Sequence, residues 1–307
     1  MNVSGSSIKV WLSAARPRTL PLSISGILIG SSYSFYNDAF NFKVFLCALL
    51  TTLSYQVLSN FANDYGDGVK GSDDKRIGPK RAVQSGLISR SNMRKGVFIL
   101  SFIASILTFL LLVLSFEIFS IYFLVFFLLG GLAIFAAIKY TVGRFAYGYH
   151  GLGDFFVFVF FGLVSVLGSN FLFDSTLSFE LISPAIIVGV LSVGVLNLNN
   201  MRDLETDAAC GKKTLAVYLG PKAAKIYHLV LVFVSFILMV LYPFQFEINS
   251  GFLKILYFLN SFFLIFHFYQ VYITIKPKEY DLFLKFLSLN AFLFSVLVSF
   301  NFSKILI

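Results

Sequence analysis

Four polar residues close a long apolar stretch near the start of the chain, where an apolar environment tolerates them least. Asn60, Asn63, Asp64 and Asp67 fall at positions i, i+3, i+4 and i+7, so a helix displays them along one stripe. Carboxylates at membrane depth are energetically costly, and they usually face a cavity and have a function. The stripe therefore predicts a binding or catalytic site at this end of the helix.

A second polar cluster ends another apolar stretch further along the chain. Asn199, Asp203 and Asp207 follow one another at intervals of four residues, which again places them on one side of a helix. Carboxylate and amide oxygens are ligands that Mg²⁺ prefers, and this ion often keeps substrate phosphates in its shell. The two clusters together predict a divalent-metal site rather than two patches of solvated charge.

Each acidic cluster is followed by a glycine-containing loop that is rich in cations. These cations are Lys70, Lys75, Arg76, Lys80 and Arg81 after the first cluster, and Lys212 and Lys213 after the second. Lys and Arg neutralise phosphate oxygens. Metal ions and cations around a leaving diphosphate also stabilise the charge that grows on it as the bond breaks. The loops therefore indicate a diphosphate substrate.

The composition identifies the elements that must position these residues. Of 307 residues, 58% are hydrophobic and only 13% are charged, so a soluble domain could not bury the apolar surface. The prediction is an all-α, polytopic membrane protein that forms one domain over residues 1–307, without a separate soluble domain. The nine predicted spans are 21–37, 42–62, 96–116, 118–138, 152–174, 181–200, 222–243, 252–275 and 284–304.

The distribution of basic residues predicts the orientation of these spans. All Lys and Arg except Lys43, Lys254 and Lys304 fall on the side that holds the N-terminus. By the positive-inside rule that side is the cytoplasm, and both acidic clusters face it. The net charge of +9 is explained mainly by this bias, so nucleic acid is not an expected partner. Residues 1–20 contain an interfacial helix anchored by Trp11.

At the two acidic clusters the sequence resembles the UbiA superfamily of intramembrane aromatic prenyltransferases. That superfamily has nine helices around a central cavity open to the cytoplasm and two motifs, N-x-x-x-D-x-x-x-D and D-x-x-x-D. Asn63 and Asp67 match the first motif, but its third position falls on Gly71, so that carboxylate is either missing or replaced by Asp73 or Asp74. Asp203 and Asp207 match the second motif. The segments that carry the resemblance include NDYGD, RIGP, NNMRD and the GKKT loop.

The resemblance is strongest to members of the superfamily that act in menaquinone synthesis. It implies transfer of a polyprenyl group from its diphosphate to 1,4-dihydroxy-2-naphthoate at a bacterial inner membrane, with loss of CO₂ and diphosphate, giving demethylmenaquinone. Ionisation assisted by Mg²⁺ would precede attack by the electron-rich ring on the allylic cation. The implied roles are catalysis by Asp67, Asp203 and Asp207; metal binding by Asn63, Asp64, Asp67, Asp203 and Asp207; support by Asn60 and Asn199; and diphosphate binding by Lys70, Arg81 and Lys213.

The acceptor carboxylate also needs a cation and an aromatic environment. The candidates for acceptor binding are Arg18, Lys139, Arg144, Tyr147, Tyr149 and Arg202. Two alternatives stay open on the sequence. One is a prenyltransferase of the same fold with another acceptor, such as 4-hydroxybenzoate or homogentisate. The other is a cation-coupled transporter, whose sites typically lie at broken helices near the midplane rather than at span ends.

Overall fold

The computed structural model describes residues 8–71, 78–246, 248 and 250–303, and the regular structure within them is helical. Asp73 and Asp74, the two candidates to replace the carboxylate that the motif lacks at Gly71, lie outside the described residues. In chain order the helices are α1 (Ile8–Ala15), α2 (Leu20–Tyr36), α3 (Phe42–Lys70), α4 (Arg90–Ser115), α5 (Ile121–Lys139), α6 (Gly153–Asp174), α7 (Ile182–Arg202), α8 (Leu204–Ala209), α9 (Leu215–Gln245), α10 (Gly251–Ile273) and α11 (Tyr280–Phe302).

The all-helical, multi-span architecture is confirmed, whereas the count of nine spans is not. In the described part of the chain, eight helices are long and apolar enough to cross a membrane: α3 to α7 and α9 to α11. The helix at the first predicted span, α2, has 17 residues. At about 1.5 Å per residue it is roughly 26 Å long, slightly less than the ~30 Å hydrocarbon core of a bilayer.

Helix α3 carries the first acidic stripe, and it continues eight residues beyond the predicted end of its span at residue 62. Asn41 caps its start by accepting a hydrogen bond from the Lys43 N–H at 2.9 Å. Gly71 ends it in a left-handed conformation, with φ at 73° and its N–H donating to the Asp67 carbonyl. Glycine adopts this conformation without steric cost. The departure from the family motif at Gly71 therefore coincides with the residue that terminates the helix.

Helix α7 carries the second cluster and lies at the centre of the bundle. It packs against α6, α9 and α11 and is largely buried. Helix α6 crosses it closely, because a Cβ at Gly162 would lie 2.7 Å from the Ala185 carbonyl oxygen. Residues Phe158–Gly168 of α6 form a π-helix, a wider form that is frequent at functional sites. The two helices form one wall of the main cavity.

The cavity has a volume of about 810 Å³ and two chemically different ends. At one end, polar residues of α3 and of the loops that follow α3 and α8 line it. The rest of its wall is largely apolar and extends past Ile27 in the middle of α2 to Leu112 and Leu172, near the C-terminal ends of α4 and α6. A cavity of this form accommodates a molecule with a charged head and a long apolar tail.

Candidate active site

Asp67 lies at the polar end of the cavity and is almost completely buried, with 2% of its surface exposed. The Tyr149 hydroxyl donates a hydrogen bond of 2.8 Å to Asp67 Oδ1. On the other side, Lys212 Nζ lies 3.5 Å from Asp67 Oδ2. The Tyr149 hydroxyl thus orients the Asp67 carboxylate, and the predicted role of Tyr149 in acceptor binding stays a prediction.

Asp64, one turn earlier on α3, has a different set of contacts. Its Oδ2 accepts a hydrogen bond from the Ala82 N–H and its Oδ1 accepts one from the Val83 N–H, both at 3.0 Å. The carboxylate thus holds the backbone of the loop directly after Arg81. Asp64 also lines the cavity. Its observed contacts give it a positioning role for Arg81, and its predicted role as a metal ligand stays a prediction.

The two asparagines of the first stripe also contact neighbouring segments. The Asn60 side-chain amide donates to the Ala15 carbonyl at 2.9 Å and so fastens the N-terminal segment to α3. The Asn63 amide oxygen accepts from the Thr141 hydroxyl at 3.3 Å. Thr141 also approaches Gly66, where a Cβ would lie 2.5 Å from its hydroxyl oxygen. Asn63 keeps its place on the cavity wall, which fits its predicted role near the metal.

In the second cluster, Asp203 is tightly paired with the residue before it. Arg202 donates to both carboxylate oxygens of Asp203, from Nε at 2.9 Å and from Nη2 at 2.7 Å. The same Nη2 donates to Asn199 Oδ1 at 2.8 Å. Arg202 is 1% exposed and was predicted to bind the acceptor. In the structure its guanidinium joins Asn199 to Asp203, and its role in acceptor binding stays a prediction.

A third partner of Arg202 comes from the last helix. Arg202 Nη1 donates to Asp281 Oδ1 at 2.8 Å, and Arg18 Nη1 contacts both Asp281 oxygens at 3.1 Å. Asp281 therefore joins the N-terminal segment, the second acidic cluster and α11. Arg18, one of the residues predicted to bind the acceptor, is held by Asp281 and lines the cavity.

Lys212 connects the two acidic clusters. Its Nζ lies 3.5 Å from Asp67 Oδ2 and 3.5 Å from Asp207 Oδ1, so the two carboxylate oxygens are no more than twice that distance apart. Burial works against the charged ammonium, but the two carboxylates outweigh it and raise the pKa of Lys212 above its ordinary value. Lys212 lines the cavity and is 7% exposed, whereas Asp203 and Asp207 are buried behind the lining.

The three cations predicted to bind diphosphate are placed differently. Arg81 is buried on the cavity wall, and burial lowers the pKa of its guanidinium to about 10 against the opposing effect of Asp203. Lys70 Nζ lies 3.6 Å from the centre of the Tyr149 ring. Lys213 is exposed, and its backbone N–H donates to the Tyr149 carbonyl at 3.2 Å. Its neighbour Lys212 enters the site instead.

The remaining residues predicted to bind the acceptor fall in two groups. Tyr147 lines the cavity, and its ring centre lies 4.2 Å from that of Phe156. Arg144 is exposed, and Lys139 Nζ lies 6.0 Å from the centre of the Phe135 ring. Neither Lys139 nor Arg144 is part of the cavity lining. The structure thus brings Arg18 and Tyr147 to the cavity, but not the other two.

The donor chemistry of the two clusters suits Mg²⁺, because the donors are carboxylate and amide oxygens. No group of three or more His, Cys, Asp or Glu in the described residues forms one compact metal site. The donors are instead divided between α3 and the α7–α8 corner. This division fits an ion that uses one or two carboxylates and completes its shell with water and substrate phosphate.

Comparison with known proteins agrees with this arrangement. The model of the UbiA prenyltransferase family matches residues 23–294. A protein of Haemophilus influenzae named 1,4-dihydroxy-2-naphthoate octaprenyltransferase is 46% identical over 74% of this chain and 75% of its own length. The Escherichia coli protein of the same name is 43% identical over 77% of each chain. The structure of an Archaeoglobus fulgidus UbiA homolog bound to GPP and Mg²⁺ superposes with a TM-score of 0.66 over 96% of this chain and 100% of that one. At 14% identity, this last likeness concerns the fold alone.

Proposed function

Because the chain belongs to the UbiA prenyltransferase family, we propose that it transfers a polyprenyl group from polyprenyl diphosphate to 1,4-dihydroxy-2-naphthoate. Four relatives at 35–46% identity carry the name of this reaction with an octaprenyl donor. The observation that carries the proposal is the placement of two acidic clusters around Lys212, at the polar end of a long apolar cavity.

The metal-binding part of the proposal uses oxygen donors from both clusters. Asp67, Asp203 and Asp207 would hold Mg²⁺, with Asn63 and Asn199 beside them on the cavity wall. Bound Mg²⁺ would offset the charge that grows on the departing diphosphate. Arg81, Lys212 and Lys70 supply further positive charge at this end of the cavity. Asp64 acts indirectly, because it holds the loop that presents Arg81.

In the proposed reaction the diphosphate lies at the polar end of the cavity and the polyprenyl chain lies along its apolar wall. The C–O bond to the diphosphate breaks and its electron pair leaves with the diphosphate. The ring carbon that bears the acceptor carboxylate attacks the allylic cation, and loss of CO₂ restores the aromatic ring as the quinol form of demethylmenaquinone. The rings of Tyr147, Phe156 and Phe160 line the cavity and present faces that attract a cation. The largely apolar wall keeps water from the cation.

For the acceptor carboxylate, Arg18 is the best-placed of the predicted cations. It lines the cavity, and its partner Asp281 orients its guanidinium. Arg16 lies on the same wall, two residues earlier, at the junction between α1 and the next turn. Both belong to the segment that Asn60 fastens to α3. We therefore place the acceptor between this N-terminal segment and Tyr147.

The reaction is tested with purified protein, Mg²⁺, a polyprenyl diphosphate and carboxyl-labelled acceptors. With 1,4-dihydroxy-2-naphthoate we expect a prenylated product and release of labelled CO₂. Product with 4-hydroxybenzoate and none with the naphthoate would contradict the acceptor. Metal-dependent ion flux in liposomes without any prenylated product would favour a transporter. Treatment with EDTA should abolish turnover and added Mg²⁺ should restore it, whereas full activity in EDTA would rule out the metal requirement.

For the location we propose a bacterial cytoplasmic membrane with the site facing the cytoplasm, supported by the distribution of Lys and Arg. The chain offers a direct test, because Cys210 is exposed beside the second cluster and Cys47 is buried. A membrane-impermeant maleimide should label Cys210 in inverted membrane vesicles but not in intact spheroplasts. A Cys210→Ser variant controls for labelling of Cys47. Labelling in intact spheroplasts would reverse the orientation.

A further inference from the structure

Lys212 and Lys213 are neighbours with opposite placements, and the loop backbone explains why. The Lys212 N–H donates to the Asp207 carbonyl at 2.8 Å, directly after Gly211 turns the chain with a φ of 72°. The Lys213 N–H donates to the Tyr149 carbonyl at 3.2 Å. These bonds direct the Lys212 side chain into the site and leave Lys213 exposed. The backbone of the loop therefore fixes the position of the Lys212 side chain.

The carboxylates of the two clusters are paired with cations of different kinds. Asp203 is paired with Arg202 through two bonds of 2.9 and 2.7 Å, a planar fork that fixes both groups. Asp67 and Asp207 share Lys212 at 3.5 Å each, which is longer than a strong charge-assisted hydrogen bond. Lysine also has a flexible stem and a compact charge that can change partners. The contacts of Lys212 are thus the more easily exchanged.

Lys212 also stands where an incoming cation would have to go. Asp207 is buried behind the cavity lining, and Lys212 belongs to that lining and contacts Asp207. A metal ion that approaches Asp207 from the cavity therefore meets the Lys212 ammonium first, and the same ammonium already contacts Asp67 on the cavity wall. Binding of that ion requires Lys212 to find another anionic partner, because an unpaired buried ammonium is costly.

We propose that Lys212 is an exchangeable internal cation, which bridges Asp67 and Asp207 in the empty site and transfers to the diphosphate when metal and diphosphate enter together. Free metal then binds weakly, because it competes with Lys212. The diphosphate supplies the new partner, so it strengthens metal binding. This inference rests on the proposed function in one respect, namely that a metal–diphosphate complex is the ligand of the two clusters.

The test measures metal and diphosphate binding separately, without turnover. Binding of Mn²⁺ to the purified full-length protein is followed by electron paramagnetic resonance in the absence of any diphosphate. Binding of geranyl thiolodiphosphate, an unreactive analogue, is followed by calorimetry at saturating Mg²⁺. The variants are Lys212→Met, Lys212→Arg and the matched control Lys213→Met, which removes the same charge from the exposed neighbouring position.

For Lys212→Met we expect the Mn²⁺ Kd to fall by about 10-fold and the Kd of the analogue to rise by about 10-fold, the size expected for one charged hydrogen-bonding partner. Lys213→Met should match the wild type in Mn²⁺ binding, and Lys212→Arg should keep weak Mn²⁺ binding. Unchanged or weaker Mn²⁺ binding in Lys212→Met would overturn the inference. So would unchanged binding of the analogue.

The wild-type protein alone provides a second test, which holds even if Lys212→Met does not fold. The analogue should tighten Mn²⁺ binding to wild-type protein by about 10-fold or more. Equal Mn²⁺ affinity with and without the analogue would overturn the exchange while leaving the proposed reaction intact. Failure of the wild type to bind either metal or analogue would overturn the proposed reaction as well.

Discussion

Asp281 offers the sharpest test of how the site is held together, because it lies in the last helix, far along the chain from both motifs. Its carboxylate contacts Arg202 at 2.8 Å and Arg18 at 3.1 Å. The substitution Asp281→Asn keeps the shape of the side chain and removes its charge. The Arg202 guanidinium would retain Asp203 but lose its second anionic partner, and Arg18 would lose its carboxylate partner.

The expected cost follows from the burial of the two contacts. The Arg202 side chain is fully buried, so loss of its charge-assisted bond should cost about 1.5–3 kcal/mol. The Arg18 side chain is 28% exposed and Asp281 is 22% exposed, so that pair adds at most about 1 kcal/mol. A total near 3 kcal/mol corresponds to a fall in Tm of roughly 5 °C for a chain of this length. Loosening of Arg18 should also raise the KM for the acceptor more than that for the prenyl donor.

The assay combines thermal unfolding in detergent with steady-state kinetics for both substrates. Lys285→Gln is the matched control one turn further along α11, because its contact with Asp281 is 3.8 Å long and Lys285 is 49% exposed. We expect Lys285→Gln to lie within about 1 °C of the wild type. If Asp281→Asn is as stable as Lys285→Gln and its KM for the acceptor is unchanged, the Asp281 network does not organise the site.

Three further predictions concern the helix ends that carry the motifs. Asp67→Asn and Asp203→Asn should each lower kcat by about 10²-fold or more, as expected for charge stabilisation at a reacting centre, and near-normal kcat in either would refute the two-cluster site. Asp64→Ala should raise the KM for polyprenyl diphosphate by about 10-fold through displacement of Arg81, with Asp64→Asn less affected; equal KM values would refute the positioning role. Gly71→Ala should cost about 1 kcal/mol of stability with normal kcat, and unchanged stability would contradict its role as a helix terminator.

The architecture was largely accessible from the sequence, because a long apolar stretch between basic loops has few alternatives to a membrane helix. The differences concern where the apolar spans end relative to the helices. The apolar stretch ends near residue 62, but helix α3 continues to Lys70. Its last turns are polar because they face the cavity, and polar side chains there do not interrupt the backbone hydrogen bonds of the helix. The first predicted span corresponds to the shorter helix α2, which leaves the ninth span unconfirmed.

The candidate site was accessible only in part. Spacing along a helix identified the two acidic clusters, because that information is local. The contact of Asp281 with Arg202 joins residues 79 positions apart, and an acidic residue in the first turn of a helix is favourable there without any such partner. The sequence also indicated Lys213 rather than Lys212 for the diphosphate. Which of these two lysines enters the site depends on the turn at Gly211 and on the hydrogen bond from the Lys213 N–H to the Tyr149 carbonyl. A sequence motif contains neither of these features.

The unequal pairing of the carboxylates suggests how one site can be both rigid and able to change partners. Arg202 ties Asp203, Asn199 and Asp281 together with bonds of 2.7–2.9 Å, so this half of the site keeps its geometry whether or not ligand is present. Lys212 balances the other two carboxylates at longer range, so its charge is available for exchange. A site with arginine in both halves would fix every carboxylate in a rigid pair, so no internal cation could move to the diphosphate. A site with lysine in both would lack the fixed frame that orients the departing diphosphate. The different roles of Arg202 and Lys212 therefore follow from the different chemistry of guanidinium and ammonium groups.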